Sequence, residues 1–288
     1  MPSGVNKKIP TSHWKYIDDL TIAEALDLKR CLKSDSENKL EKPLTFHNRT
    51  SHLLPPEVSK VHAQLIDLQQ YAIDNEMKIN KVKTKVILFN TAKTRDLTPD
   101  LKINNENIEL VEEIKLLGVK ISSDLKWNKN TEHIVRMGYQ KLWMLRRLKA
   151  NGADRKELSD IYIKHVRSVI ENSVVVWHSG LTELNRIDIE RVQKAACSII
   201  LGKNCHNYEN ALTVLGYENL DKRRETLCYK FAKKSYKSEH FSSWFVPDKK
   251  EINTRRKMKV VKEALTRTAR LEKSALPYMT KLLNSEAP

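Results

Sequence analysis

The hydrophobic period of this chain changes once, near Trp127, and that change constrains the fold more than any other feature. Before it, apolar residues come in short runs of strand length bounded by turn residues. After it, they recur every three or four residues over long stretches, which is the helical period. An α+β fold is therefore predicted: a mixed half over residues 1–126, an all-helical half over 127–246 and a basic C-terminal tail over 247–288.

In the first half, residues 1–12 read as an irregular lead-in and 33–55 as a polar loop broken by Pro43 and Pro55. Val58, Val61, Leu65, Leu68 and Ala72 carry a helical spacing from Glu57 to Met77, with Pro55-Pro56 where a helix begins. Met77 to Ile79 reads as a short extended piece, and Lys85 to Asn90 as an apolar strand. Asp100–Ile103 and Asn107–Leu110 flank a hairpin turn at Asn104-Asn105-Glu106. Ile114 to Ile121 reads as one more strand, interrupted by Gly118. In the second half, helices are expected over about 131–149, 154–176, 181–201, 207–215 and 219–236. On the first of these, Ile134, Leu142, Leu145 and Leu148 face inward, and Arg136, Lys141, Arg146 and Lys149 outward. Trp127, Trp143 and Trp177 are assigned to the core.

The chemistry starts at Tyr16-Ile17-Asp18-Asp19-Leu20. His13–Ile17 and Leu20–Ala23 read as two strands with the acids at the turn between them. Asp is a common turn residue because its carboxylate bonds nearby backbone. Two carboxylates facing one pocket repel unless a cation lies between them, and a hard divalent ion is the usual resolution. Both readings stand on this segment alone.

Composition selects the partner. The chain has 52 Lys and Arg against 36 Asp and Glu, a net charge of +16. That favours nucleic acid first and an anionic membrane surface second. Residues 249–273 carry ten Lys or Arg against three Glu, on a candidate amphipathic helix with Val260, Val261, Ala264, Leu265 and Leu271 on one side. That segment lacks the Trp or Phe anchors of a membrane-surface helix. No run of apolar residues is long enough to span a membrane. The four cysteines form no Cys-x-x-Cys pair and have no His at finger spacing, so neither a zinc site nor a disulfide framework is supported. Reduced thiols and the absence of a signal peptide point to an intracellular location, nuclear or cytoplasmic.

Four features follow one another in order: the Asp18-Asp19 hairpin, Asn80-Lys81-Val82-Lys83-Thr84-Lys85 before a strand, Lys115-Leu116-Leu117-Gly118-Val119, and a basic helical region. In this order they resemble the C-terminal part of a non-LTR retrotransposon reverse transcriptase of the jockey-like kind. The resemblance runs from Trp14 to Phe245. It continues through Leu145-Arg146-Arg147-Leu148, Val175-Val176-Trp177, Glu190-Arg191-Val192-Gln193-Lys194-Ala195-Ala196, Tyr208, and Leu220 with Arg223-Arg224. It implies the end of a polymerase palm, an antiparallel sheet with a helix, followed by a helical thumb.

The resemblance also implies roles. Nucleotidyl transfer in that family uses two metal ions, Mg²⁺ or Mn²⁺. Asp18 would coordinate metal directly, with Asp19 as its partner. Tyr16 would lie under the primer terminus, and Lys83 near the incoming triphosphate. Leu117 and Gly118 would bring backbone close to the primer. Arg146, Arg147, Arg191, Arg223 and Arg224 would contact phosphates of an RNA template or RNA–DNA hybrid. Read without the resemblance, Lys83 is a solvated loop lysine and the arginines are solvated helix faces.

Fifteen residues precede Tyr16, and none is Asp or Glu. The family's upstream metal acid and fingers are thus missing, and two carboxylates do not hold two hard cations. The expectation is a reverse-transcriptase fragment inactive alone, with the missing polymerase half as a partner. The alternative is a non-catalytic basic protein that grips RNA or RNA–DNA hybrid.

Overall fold

The computed structural model describes residues 12–16, 19–23, 52–54, 60–89, 97–99, 101–205, 207–247 and 260–285. The chain divides into two compact units, Met1–Glu112 and Glu113–Pro288. The division falls before the last predicted strand, not after it, and the predicted tail belongs to the second unit. The mixture of helices and small strand pairings is α+β, with helix predominating.

The first unit holds β1 (Ser12–Tyr16), β2 (Asp19–Ala23), β3 (His52–Leu54), α1 (Lys60–Asp74), β4 (Lys85–Val86), β5 (Leu97–Pro99), β6 (Lys102–Ile103), β7 (Glu106–Asn107) and β8 (Glu109–Leu110). β1 and β2 form the expected antiparallel hairpin, with Tyr16 opposite Asp19. β6 and β7 form another, turning at Asn104 and Asn105 with φ of +50° and +63°. Positive φ at both central residues is the turn that matches strand twist, and Asn tolerates it. The remaining strands pair two by two, and both β3–β5 and β4–β8 are parallel. The single antiparallel sheet expected from the sequence is therefore not what the described residues form. The strand predicted from Lys85 is only two residues long, and Ile87 to Phe89 are irregular. α1 buries Leu65 against Leu101 and Ile103, which makes a small core.

The second unit opens with a hairpin, β9 (Glu113–Leu116) and β10 (Val119–Ser122), paired Leu116 to Val119. Leu117 and Gly118 are its two-residue turn, with φ of +47° and +86°. Gly118 thus does not interrupt a strand; it reverses one. The helices follow: α2 (Asn128–Ala150), α3 (Arg155–Ile161), α4 (Ser168–Ile170), α5 (Val174–Trp177), α6 (Glu183–Leu201), α7 (Tyr208–Leu215), α8 (Leu220–Tyr236), α9 (Ala269–Glu272) and α10 (Ala275–Ser285). The long helix expected over 154–176 is broken. It starts at a capping box between Asp154 and Glu157 and passes through a π-helical stretch at Tyr162–Arg167. It then stops at a turn where Ser173 has φ +51°. The left-handed backbone at Ser173 cannot continue a right-handed helix, which ends it there. The Trp177 indole N–H then donates to the Asn172 carbonyl at 2.9 Å and fixes the break.

The main core lies where α2 packs on α6, with Leu142, Leu145, Leu158, Tyr162, Trp177 and Val192 fully buried. Each such side chain contributes about 1.5–3 kcal/mol relative to exposure. Gly138 sets the approach of the helices: a Cβ there would come within 2.9 Å of Ile170 Cγ2 and Val192 Cγ1. Lys149, expected outward, turns its amine onto the Ile199 and Ile200 carbonyls at the end of α6. There it offsets the partial negative charge of that terminus.

A second cluster holds Ala232 of α8, Phe245, Val261, Met279 and Leu283. Val261 bridges to Pro247 in extended conformation, and 260–268 is not helical. The predicted tail helix is thus corrected: its apolar residue Val261 closes a core with α10, and burial outweighs the amphipathic period. Residues 249–259 lie outside the described residues. Among the described residues no helix is long and apolar enough to cross a membrane.

Candidate nucleic-acid interface

The predicted site residues separate into three places. At the first hairpin, Tyr16 ends β1 and Asp19 begins β2. Asp18 lies outside the described residues, as do the side chains of Tyr16 and Asp19. Among the described residues no group of three or more His, Cys, Asp or Glu could hold a metal ion. The hairpin supplies two carboxylates at most, which does not fit a two-metal centre.

The second place is the turn at Asn80. The Lys83 amide donates to the Asn80 side-chain oxygen at 3.1 Å, and the Thr84 hydroxyl donates to the Asn80 carbonyl at 2.9 Å. Asn-x-x-Lys-Thr is thus a self-closed turn in which Asn and Thr satisfy the backbone. The neighbouring lysines are both occupied, Lys81 by Glu106 and Lys85 by Glu109. Lys83 is exposed and has no carboxylate partner among the described residues.

The third place is the second unit, where the predicted arginines fall into two groups. Arg224 is fully buried. Its Nη2 pairs with Asp221 at 3.1 Å, and its Nε donates to His178 Nδ1 at 3.3 Å. It cannot meet a phosphate, so that expectation is corrected. Arg223 is held by Glu171 at 2.6 Å, and Glu171 is only 11 % exposed. Arg191 is exposed but pairs with Asp188, one turn away, at 2.7 Å. Arg146 and Arg147 differ: both are exposed on α2, and among the described residues neither pairs with a carboxylate.

Sequence reasoning placed Trp143 in the core, but it stands on this same face, 62 % exposed, with the Arg147 guanidinium 5.7 Å from its ring centroid. Tyr139 is 40 % exposed one turn earlier, and Arg136 extends the row. The spacing of Arg136, Tyr139, Trp143 and Arg147 puts all four on one side of a helix. The signal was present: with Leu142 and Leu145 inward, position 143 points away from the core.

The β9–β10 hairpin lies next to α2. Leu117 is half exposed at its tip. Beside it Gly118, His133, Met137, Val169 and Asn172 line an open depression of about 290 Å³. The His133 Nδ1 is buried without a hydrogen-bond partner. Burial and then the charges of Lys115, Lys120 and Arg136 push its pKa below the usual histidine range. Lys115 and Arg136 thus put positive charge near His133 from the hairpin and from α2, while Lys120 is paired with Glu113 at 3.0 Å.

Two further motif stretches prove structural. Gln193 accepts from the Tyr162 hydroxyl at 2.7 Å and donates to the Tyr208 hydroxyl at 2.9 Å and the Glu218 carbonyl at 3.0 Å. Glu190 accepts from Tyr208 and from the Leu220 amide at 3.1 Å. This satisfied network ties α6, α7 and α8 together. The His178 cluster was missed altogether. His178 is buried among Arg224, Arg186 and Asp221, with the Tyr278 ring of α10 edge-on at 5.7 Å.

No family model matches this chain, nor does any curated protein or solved structure.

Proposed function

We propose that this chain binds RNA or RNA–DNA hybrid through its second unit, in the manner of a thumb, and that it does no chemistry alone. The observation that carries this is the outer face of α2. Arg136, Arg146 and Arg147 stand there without carboxylate partners among the described residues, interleaved with exposed Tyr139 and Trp143. Unpaired guanidinium groups beside exposed rings suit a phosphate backbone with bases, and the net charge of +16 favours the same partner. The likeness to a non-LTR reverse transcriptase supports the reading through the Asp-Asp hairpin, the self-closed turn that leaves Lys83 exposed, and the Leu117-Gly118 hairpin tip. In that reading the first unit is palm-derived.

Two measurements test it. The full chain, titrated into a fluorescent RNA–DNA hybrid at several salt concentrations, should bind with a slope of log K on log salt of about −2 to −3, the value for three phosphate contacts. Chelation of divalent ions should leave binding unchanged. No binding at low salt, or binding that requires Mg²⁺, refutes the reading. Primer extension on an RNA template with Mg²⁺ should give no product. Extension that Asp18→Ala abolishes would make the chain a polymerase.

A further inference from the structure

Trp143 keeps 62 % of its surface in water, on a helix whose opposite face fully buries Leu142 and Leu145. An indole left out in this way, beside a second exposed ring, marks an interaction surface more than a packing role. The row Arg136, Tyr139, Trp143, Arg147 covers about 16 Å of helix at 1.5 Å per residue. That is the length of four or five nucleotides at about 3.4 Å each. A protein partner on this face would have to desolvate three guanidinium groups that lack carboxylates among the described residues, which is costly. A phosphate backbone supplies the missing charge.

The strand state follows from the rings. A duplex can offer phosphates to these arginines, but its base planes stay inside the stack. Only unpaired bases can lie flat on an aromatic side chain. The geometry points to the outer face of α2 as a stacking platform for single-stranded nucleic acid, with Trp143 and Tyr139 taking base planes and Arg136, Arg146 and Arg147 taking phosphates. This rests on the nucleic-acid reading above and adds the strand state that the face recognises.

The test uses the full chain, a fluorescein-labelled oligo-dT and a labelled RNA–DNA hybrid of equal length. Trp143→Ala should weaken oligo-dT binding about tenfold, the effect of losing one stacked base. It should weaken duplex binding far less and leave the salt slope unchanged, and Trp143→Phe should restore most of the loss. Circular dichroism melts of both variants should match the wild type, because the side chain is exposed. Equal oligo-dT binding by Trp143→Ala and wild type overturns the proposal, and so does an equal loss on both probes. In either case wild-type binding to the probes keeps the broader reading alive. Wild-type binding to neither probe sinks that reading itself. If Trp143→Ala instead leaves both affinities intact and turns a self-associated chain into a monomer, the face is a protein contact and the stacking proposal is refuted.

Discussion

His178 should make the second unit sensitive to mild acid. It sits in the turn after α5, 1 % exposed, and its Nδ1 accepts from Arg224 Nε at 3.3 Å. Burial first, then the charges of Arg224 and Arg186, lower its pKa to about 4 from 6.5, with Asp221 opposing. Tyr278 faces it from α10 and adds no charge at these pH values. A folded-state pKa below the unfolded one means that the unfolded chain binds a proton the folded chain refuses. Stability therefore falls as pH drops below about 6.5 and stops falling from this source near pH 4. Between about pH 7.5 and pH 4.5 the loss is roughly 2–3 kcal/mol. Asp221 acts in a lower window. Burial raises its pKa, but Arg186 and Arg224 outweigh that and hold it below 3.8. Its contribution is intact above that value and is lost only as pH falls through the lowered one. The assay is urea unfolding of wild type and His178→Gln at both pH values, followed by circular dichroism. Gln keeps an acceptor for Arg224 but cannot titrate. The wild type should lose roughly 2–3 kcal/mol more than the variant on acidification. Parallel losses would show that His178 is not held neutral and would refute the reasoning.

Three further outcomes are expected. Gly138→Ala should lower the melting temperature, because a Cβ 2.9 Å from two β-branched side chains costs about 1–3 kcal/mol, against about 1 kcal/mol of gained helix propensity. A variant that melts at or above wild type contradicts the close approach of α2 and α6. Arg223→Ala should destabilise the chain by about 2–3 kcal/mol, since it strands Glu171, and should leave the salt slope of nucleic-acid binding alone. Arg146→Ala and Arg147→Ala should do the reverse, each reducing the slope by about 0.7–0.9 with no change in denaturation midpoint.

Local features were legible from residues alone. The Tyr16–Asp19 hairpin, the Asn104-Asn105 turn and the helices ending near 150, 201, 215 and 236 all form as their spacing predicts, because turn residues and apolar period act over a few positions. What failed was whatever depended on a distant partner. The strand through Gly118 became a hairpin because two consecutive residues take positive φ, and the tail helix gave way to a β-bridge that buries Val261. The helix over 154–176 broke where Trp177 folds back on Asn172.

The arginines show the division most plainly. The sequence by itself determined that a basic helical unit would follow a mixed one, with guanidinium groups on nearly every helix. It could not rank them, because a helical period says which side of a helix a residue takes, not what stands opposite. Tertiary structure decided that. Asp221 on α8 captures Arg186 on α6 and Arg224, and Glu171 from the broken turn captures Arg223. Among the described residues α2 meets no such acid along its outer side, so Arg146 and Arg147 lack a carboxylate partner beside Trp143. A carboxylate within ion-pair distance decides whether a cation serves the fold or a ligand, and that distance is set by packing.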